Sequence, residues 1–220
     1  MKKAILTTIK DLFIYLILSA FTLLMLKTII SYSTLEPNVA FLKEKQAYMH
    51  ITIWKLAFYV HVFTSIFTLI AGFTQFSNFV LREYKALHKI MGKLYVYAIL
   101  FINFPSGFIM AIYANGFMPT KIAFIILDCL WFWFTYKAVV AIKKGDVKSH
   151  KAFMIRSYAL TFSAITLRSW KIILSNSFNI DPLTVYMIDA WLGFVPNLLL
   201  AEWIIVRKDR LSAKINTIKN

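Results

Sequence analysis

Acidic residues are scarce in this chain of 220 residues, which contains 10 Asp and Glu against 25 Lys and Arg. Glycine and proline are also few, at 6 and 5 residues, which excludes collagen-like and low-complexity structure. Only 16% of the residues are charged and 60% are apolar or aromatic, against about 25% and 45–50% in soluble domains. These proportions exclude a water-soluble globule and predict a protein of the lipid bilayer.

Cysteine is represented by one residue, Cys129, which lies inside an apolar run. A lone cysteine excludes an intrachain disulfide and a cysteine-based zinc or iron–sulfur site. The net charge of +15 would suggest nucleic acid as the partner of a soluble chain. Here the basic residues flank apolar runs, so we attribute the charge to membrane topology and expect no nucleic-acid partner.

Six apolar runs are long enough to cross about 30 Å of hydrocarbon as α-helices. Transmembrane β-strands are about half as long and alternate strictly between apolar and polar residues. We therefore predict an all-α membrane protein, a single integral membrane domain over residues 1–220 that forms a six-transmembrane-helix bundle. The predicted helices cover residues 12–31, 56–80, 94–114, 122–142, 152–174 and 183–206. Pro105 and Pro196 lie inside two of these runs and predict kinks there.

Basic residues mark one side of the membrane. They concentrate before the first run, in segments 81–93 and 143–151, and after the sixth run. Because basic loops stay in the cytoplasm, both termini are predicted to be cytoplasmic. The first run also fits a signal peptide, but its length and Lys27 near its far end favour a span. Glu202 is expected to pair with the basic tail, and Trp54, Trp170 and Trp203 to anchor the chain at the membrane interface.

Four of the ionisable side chains inside the predicted spans share one depth, about 7–9 Å below the outer ends of their runs. They are His61, Asp128, Arg168 and Asp189. Such a layer predicts an outward polar pocket for a small ligand, to which Gln75 contributes from the helix face of His61. His61, Asp128 and Asp189 are also the candidate ligands of a divalent metal ion. A buried network of paired charges without any ligand is the alternative.

Two histidines meet the requirement of an intramembrane haem b, which takes one axial ligand from each of two facing helices. His88 and His150 both stand at cytoplasmic helix starts. Lys89 and Lys151 beside them, together with Arg156, are suited to haem propionates or a phosphate. The alternative for both histidines is a hydrogen bond to backbone or headgroup at the interface.

Several of these residues together resemble the signature of a bacterial family of predicted multi-pass membrane proteins of unknown function. The resemblance runs from His61 to Lys171. The placement of histidines at helix ends is also loosely similar to that in transmembrane b-type cytochromes. Family members usually carry Arg where this chain has Lys89, Lys93 and Lys151, which keeps the charge but loses the bidentate fork. The residues that carry it are His61, Gly72, Gln75-Phe76, Arg82, His88-Lys89, Gly92-Lys93, Tyr95, His150-Lys151, Met154, Arg156-Ser157 and Thr166-Leu167-Arg168.

The resemblance implies a location in the bacterial inner membrane and carries no established reaction. Our leading hypothesis is a membrane protein whose His and Arg layers bind haem or a redox metal and transfer electrons. The rival hypotheses are a transporter or receptor with the outward pocket, and a structural or assembly protein without a ligand. Hydrolysis has no support, because no nucleophile and base stand at a recognisable spacing.

Overall fold

Helices joined by turns and short irregular segments make up the described backbone of this protein. The structure, a computed structural model, describes residues 2–219, with side chains at positions 12, 16, 17, 19–72 and 74–211. No strand occurs among residues 2–219, so the all-α prediction is confirmed. The chain divides into two compact units, Met1–Ala98 and Ile99–Asn220.

The first unit contains four α-helices and a 3-10 helix. α2 packs against α1 and α4. Its buried positions recur at helical spacing, which gives the apolar stripe expected of a helix that faces a core. The elements are α1 (Lys2–Ile30), the 3-10 helix (Ala40–Tyr48), α2 (Thr52–Gln75), α3 (Asn78–Glu83) and α4 (Lys85–Tyr97).

An aromatic cluster fills the end of this unit at which α2 begins. Trp54 is 0% exposed and stacks on Phe58, with ring centroids 5.6 Å apart. Lys45 is 2% exposed and places its ammonium 5.5 Å from the Phe41 ring centroid and 5.1 Å from that of Tyr48. These distances are typical of cation–π contacts, which keep a buried ammonium stable among aromatic rings. Trp54 is thus a core residue, and its prediction as an interface anchor is wrong.

The second unit begins inside a π-helical segment, Ala98–Asn103, and contains six α-helices. α6 is its centre, because α5, α7 and α9 all pack against it, while α10 packs on α7 and α8 packs on α9. The helices are α5 (Phe104–Ile112), α6 (Phe117–Lys143), α7 (Val147–Thr161), α8 (Ser163–Ser177), α9 (Pro182–Leu192) and α10 (Val195–Lys219).

All six predicted runs are helical, but their ends differ from the prediction. The third and fifth runs begin earlier, at Lys85 and Val147, because their first turns are basic and apolarity does not reveal them. The second run ends at Gln75 rather than at residue 80, and α3 follows it. Ser77 ends the run, since its side chain accepts a hydrogen bond from the Val80 backbone N–H and caps α3.

Four helical stretches of the described chain are long and apolar enough to cross a membrane. They are Thr52–Gly72, Lys85–Ile112, Phe117–Lys143 and Pro182–Leu211. The first run contributes a shorter apolar stretch, Ser19–Ile30, and the fifth is more polar and divided into α7 and α8. The protein is therefore a multi-pass membrane protein, while the count of six spans and the side of the termini stay predictions.

Three of the predicted runs are interrupted. The π-helical segment directly precedes the first turn of α5, which contains Pro105. A break at residues 193–194 precedes Pro196 in the first turn of α10. Both agree with the loss of a backbone N–H donor at proline. The break at Phe162 has no proline and was not predicted. There the Ser163 hydroxyl donates to the Leu160 carbonyl at 2.5 Å, and such hydroxyls compete with the helix for backbone partners.

Candidate functional site

Buried polar side chains join α6 to α7. The Trp131 indole N–H donates to the Thr161 hydroxyl at 3.0 Å, and the hydroxyls of Thr135 and Ser157 lie 2.7 Å apart. All four side chains are buried. Pairs of this kind satisfy polar groups that would otherwise be costly inside apolar helices, and they fix the register of the two helices. We call this set the α6–α7 seam.

His150 lies in the first turn of α7, near the connection that joins α6 to α7. Its Nδ1 is 2.9 Å from the carbonyl oxygen of Ala138, and the ring is half-buried. An Nδ1–H that donates to this carbonyl leaves Nε2 with its lone pair, the arrangement found in imidazoles that bind metals. Asp146 caps α7 by accepting from the Ser149 backbone N–H at 2.9 Å, and hydrogen bonding to Ser149 holds the pKa of Asp146 below its usual value.

Arg156 forms a bidentate ion pair with Glu202 of α10. Its Nε and Nη2 atoms donate to the two carboxylate oxygens at 2.5 and 2.8 Å. The guanidinium also lies over the rings of Phe134 and Phe153, 5.9 and 5.4 Å from their centroids. The prediction that Glu202 pairs with the basic tail is thus wrong. Glu202 meets Arg156 because α7 packs on α10, and the planar guanidinium matches both carboxylate oxygens.

Asp128 and Asp189 are buried in α6 and α9, which pack against each other. Phe124 and Tyr186 stand about one turn before the two acids, with ring centroids 6.0 Å apart, so the acids lie at a similar level. The Asp128 Oδ2 atom has no hydrogen-bond partner among the described side chains and backbone. Arg168 is exposed on α8 and donates to the Ala164 carbonyl of its own helix at 2.5 Å.

The candidate residues of the first unit lie on α2 and α4. His61 is half-buried, and Gln75 stands fourteen positions further along α2. The Gln75 side-chain amide donates to the His88 carbonyl at 2.9 Å and ties the end of α2 to α4. Gly92 permits this approach, because a Cβ there would lie 2.9 Å from the Gln75 Oε1 atom. The Nδ1 atom of His88 is buried without a hydrogen-bond partner in the described part of the chain.

Lys89 and Lys151 are exposed, as a role at the headgroup layer requires. Within residues whose side chains are described, no three His, Cys, Asp or Glu residues come together in a way that could hold a metal ion. His61 belongs to the first unit, whereas Asp128, Arg168 and Asp189 belong to the second. Their shared pocket and metal site stay predictions.

The α6–α7 seam escaped the sequence analysis. Trp131 and Thr135 are four residues apart, as are Ser157 and Thr161, so each pair occupies one helix face. That spacing of polar side chains inside an apolar run was the available signal. Glu202 was misassigned because sequence shows the charges near a helix end but not which helix packs beside it.

Long apolar helices define this protein as a multi-pass integral membrane protein. Its largely apolar core contains the α6–α7 seam and two buried carboxylates. The chain belongs to the family described as "Predicted membrane protein (DUF2306)", whose sequence profile matches residues 58–205, well over half of its length. Every candidate site residue named above for a cofactor, metal or ligand lies inside that range. No curated protein and no solved structure shows significant similarity to the chain.

Proposed function

We propose that this protein binds haem b in the membrane and carries electrons, with His150 as an axial ligand. The observation that carries the proposal is the contact of 2.9 Å between the His150 Nδ1 atom and the Ala138 carbonyl oxygen. A histidine that holds iron through Nε2 usually donates its other N–H to a carbonyl or carboxylate, which fixes the tautomer and the ring orientation. Bound haem would supply one-electron oxidation and reduction at this position.

The side chains of the second unit include the kinds of residue that a haem needs. His150 offers a neutral nitrogen ligand, and Lys151 is an exposed cation one residue further, suited to a propionate. Arg156 is committed to Glu202, so its part is to hold α7 against α10 below the candidate ligand. His88 stays the sequence-based prediction for the other axial position, and its Nδ1 atom has no hydrogen-bond partner among the described residues, so it lacks the orienting contact that His150 makes.

The test is the absorption spectrum of protein produced with haem supplied and purified in detergent. We expect a Soret band that is lost in His150→Ala and shifted in His150→Met, because a thioether can occupy the axial position. His50→Ala is the matched control, since His50 is exposed in the loop before α2, and it keeps the band. A colourless wild-type protein, or an unchanged spectrum in His150→Ala, contradicts the proposal. His88→Ala, measured alongside, tests the second ligand separately.

A second candidate is transport of a small cation such as the proton through the second unit. It is favoured by Asp128 and Asp189, two buried acids on packed transmembrane helices, because ionisable groups at such positions commonly serve ion pathways. In liposomes with an imposed pH gradient, the wild type would collapse the gradient and Asp128→Asn would not. Asp181→Asn, at an exposed helix cap, is the control. Equal rates in wild type, Asp128→Asn and empty liposomes would exclude this candidate.

A further inference from the structure

The first turns of α4 carry three exposed lysines on one side. Lys85, Lys89 and Lys93 follow one another at intervals of four residues, and all three are exposed. Four residues are slightly more than one turn, so the ammonium groups form a row about 12 Å long on one helix face. We call these residues the lysine stripe.

The stripe is separate from the face of α4 that packs in the first unit. Gly92 lies close to Gln75, and Tyr95 is buried. A third face carries exposed apolar side chains, which are Leu87, Ile90 and Leu94. At about 100° per residue, this apolar face and the lysine stripe lie on different sides of the helix. The lysines are therefore available to a partner outside the chain.

Helix length places the stripe in the headgroup layer. The candidate span Lys85–Ile112 has 28 residues, about 42 Å at 1.5 Å per residue. The hydrocarbon core accounts for about 30 Å and leaves about 12 Å, or eight residues. Residues 94–112 contain no charged side chain, so the excess length lies at the lysine end. The stripe thus spans the layer in which lipid phosphates lie.

Exposed aromatic residues next to the stripe mark the same layer. Phe76, Phe79 and Tyr84 are all exposed, and the rings of Phe79 and Tyr84 meet edge to face with centroids 5.7 Å apart. Arg82 in α3 adds a fourth exposed cation, against the single acid Glu83. Exposed aromatic rings combined with clustered cations are typical of segments that lie at an anionic membrane surface.

We propose that the lysine stripe binds the phosphodiester groups of anionic phospholipids. Each ammonium is a compact point charge with three donors, which suits phosphate oxygens presented at different depths. The partner is a lipid rather than a free anion, because the same helix continues from the stripe into the uncharged residues 94–112, which lie among the acyl chains of the lipids whose phosphates the stripe meets. Juxtamembrane cationic clusters recognise acidic lipids by the same electrostatic attraction.

The experiment measures the melting temperature of delipidated protein in neutral detergent after addition of phosphatidylglycerol, phosphatidylcholine or inorganic phosphate. We expect phosphatidylglycerol alone to raise it, and high salt to reduce that rise because the attraction is screened. The rise is lost in the triple variant Lys85→Gln, Lys89→Gln, Lys93→Gln. It persists in the control Lys43→Gln, Lys143→Gln, Lys144→Gln, which removes the same charge from exposed positions elsewhere.

An equal rise with phosphatidylcholine would overturn the proposal, and so would an unchanged rise in the triple stripe variant. An equal rise with inorganic phosphate would show a free-anion site and overturn the assignment to lipid. If the glutamine variant does not fold, Lys89→Gln alone and the salt dependence of the wild type carry the test. A rise in the wild type that does not change with salt would then contradict the proposal.

Discussion

Glu202→Gln is expected to lower the free energy of unfolding by about 2 kcal/mol, because it leaves the Arg156 guanidinium without its charged partner. In the wild type both carboxylate oxygens accept from Arg156, whose side chain is 20% exposed. The amide of glutamine keeps the shape but not the charge. Removal of one partner from a half-buried pair costs more than the pair contributes, since the remaining charge stays away from water.

The same two helices provide a matched control. Lys148 and Asp209 form an ion pair at 3.1 Å, also between α7 and α10, with side chains 76% and 47% exposed. Asp209→Asn should change stability by less than about 1 kcal/mol, because water screens exposed pairs. Unfolding of the detergent-solubilised protein, followed by circular dichroism in increasing denaturant, measures both variants. Equal losses in Glu202→Gln and Asp209→Asn would contradict the role assigned to the burial of Arg156.

Helical class and approximate positions followed from the sequence, whereas helix ends and breaks did not. Runs of apolar residues are visible in the sequence because each crossing must hide its backbone from lipid. The basic turns at Lys85 and Val147 continue the same helices outside the apolar region, and apolarity carries no information about them. The break at Phe162 depends on hydroxyl groups that bond to nearby carbonyls, a choice set by local geometry.

The ionisable residues of the candidate site could be selected from the sequence, but their hydrogen-bond and ion-pair partners could not. Ionisable side chains inside apolar runs stand out, so Asp128, Asp189 and Arg156 could be selected from the sequence. Their environments depend on which helices pack together. Arg156 meets Glu202, 46 positions away, because α7 packs on α10, and Arg168 bonds to its own helix at Ala164. The balance of positive and negative charges at one predicted depth in the membrane does not determine which ionisable side chains form ion pairs.

Trp54 illustrates the same limit and leads to the largest expected loss of stability. A tryptophan at the start of an apolar run is typical of an interface anchor, but the loop before α2 folds back and covers this one. The centroid of the Tyr48 ring lies 6.3 Å from that of the Trp54 ring, and the ring of Phe58 in α2 stacks on Trp54. Lys45, in the 3-10 helix of the same segment, contacts the Tyr48 ring that covers Trp54.

Trp54→Ala should therefore lower the free energy of unfolding by about 3–5 kcal/mol, the usual loss when a buried large aromatic side chain is truncated and a cavity remains. Trp54→Phe should lose only about 1 kcal/mol, since the ring stacking on Phe58 is kept. The indole Nε1 has no hydrogen-bond partner among the described residues, so its removal leaves no acceptor unsatisfied.

Trp203→Ala is the control for an exposed tryptophan. Its side chain is 57% exposed, and its described polar contact is the Arg207 guanidinium 5.2 Å from the ring centroid. An exposed cation–π contact contributes about 0.5–1 kcal/mol, so this variant should lose no more than that. Denaturant unfolding of the three variants in one detergent gives the comparison. If Trp54→Ala and Trp203→Ala lose equal amounts, the loop does not hold Trp54 in a core, and the interface role predicted from the sequence would be restored.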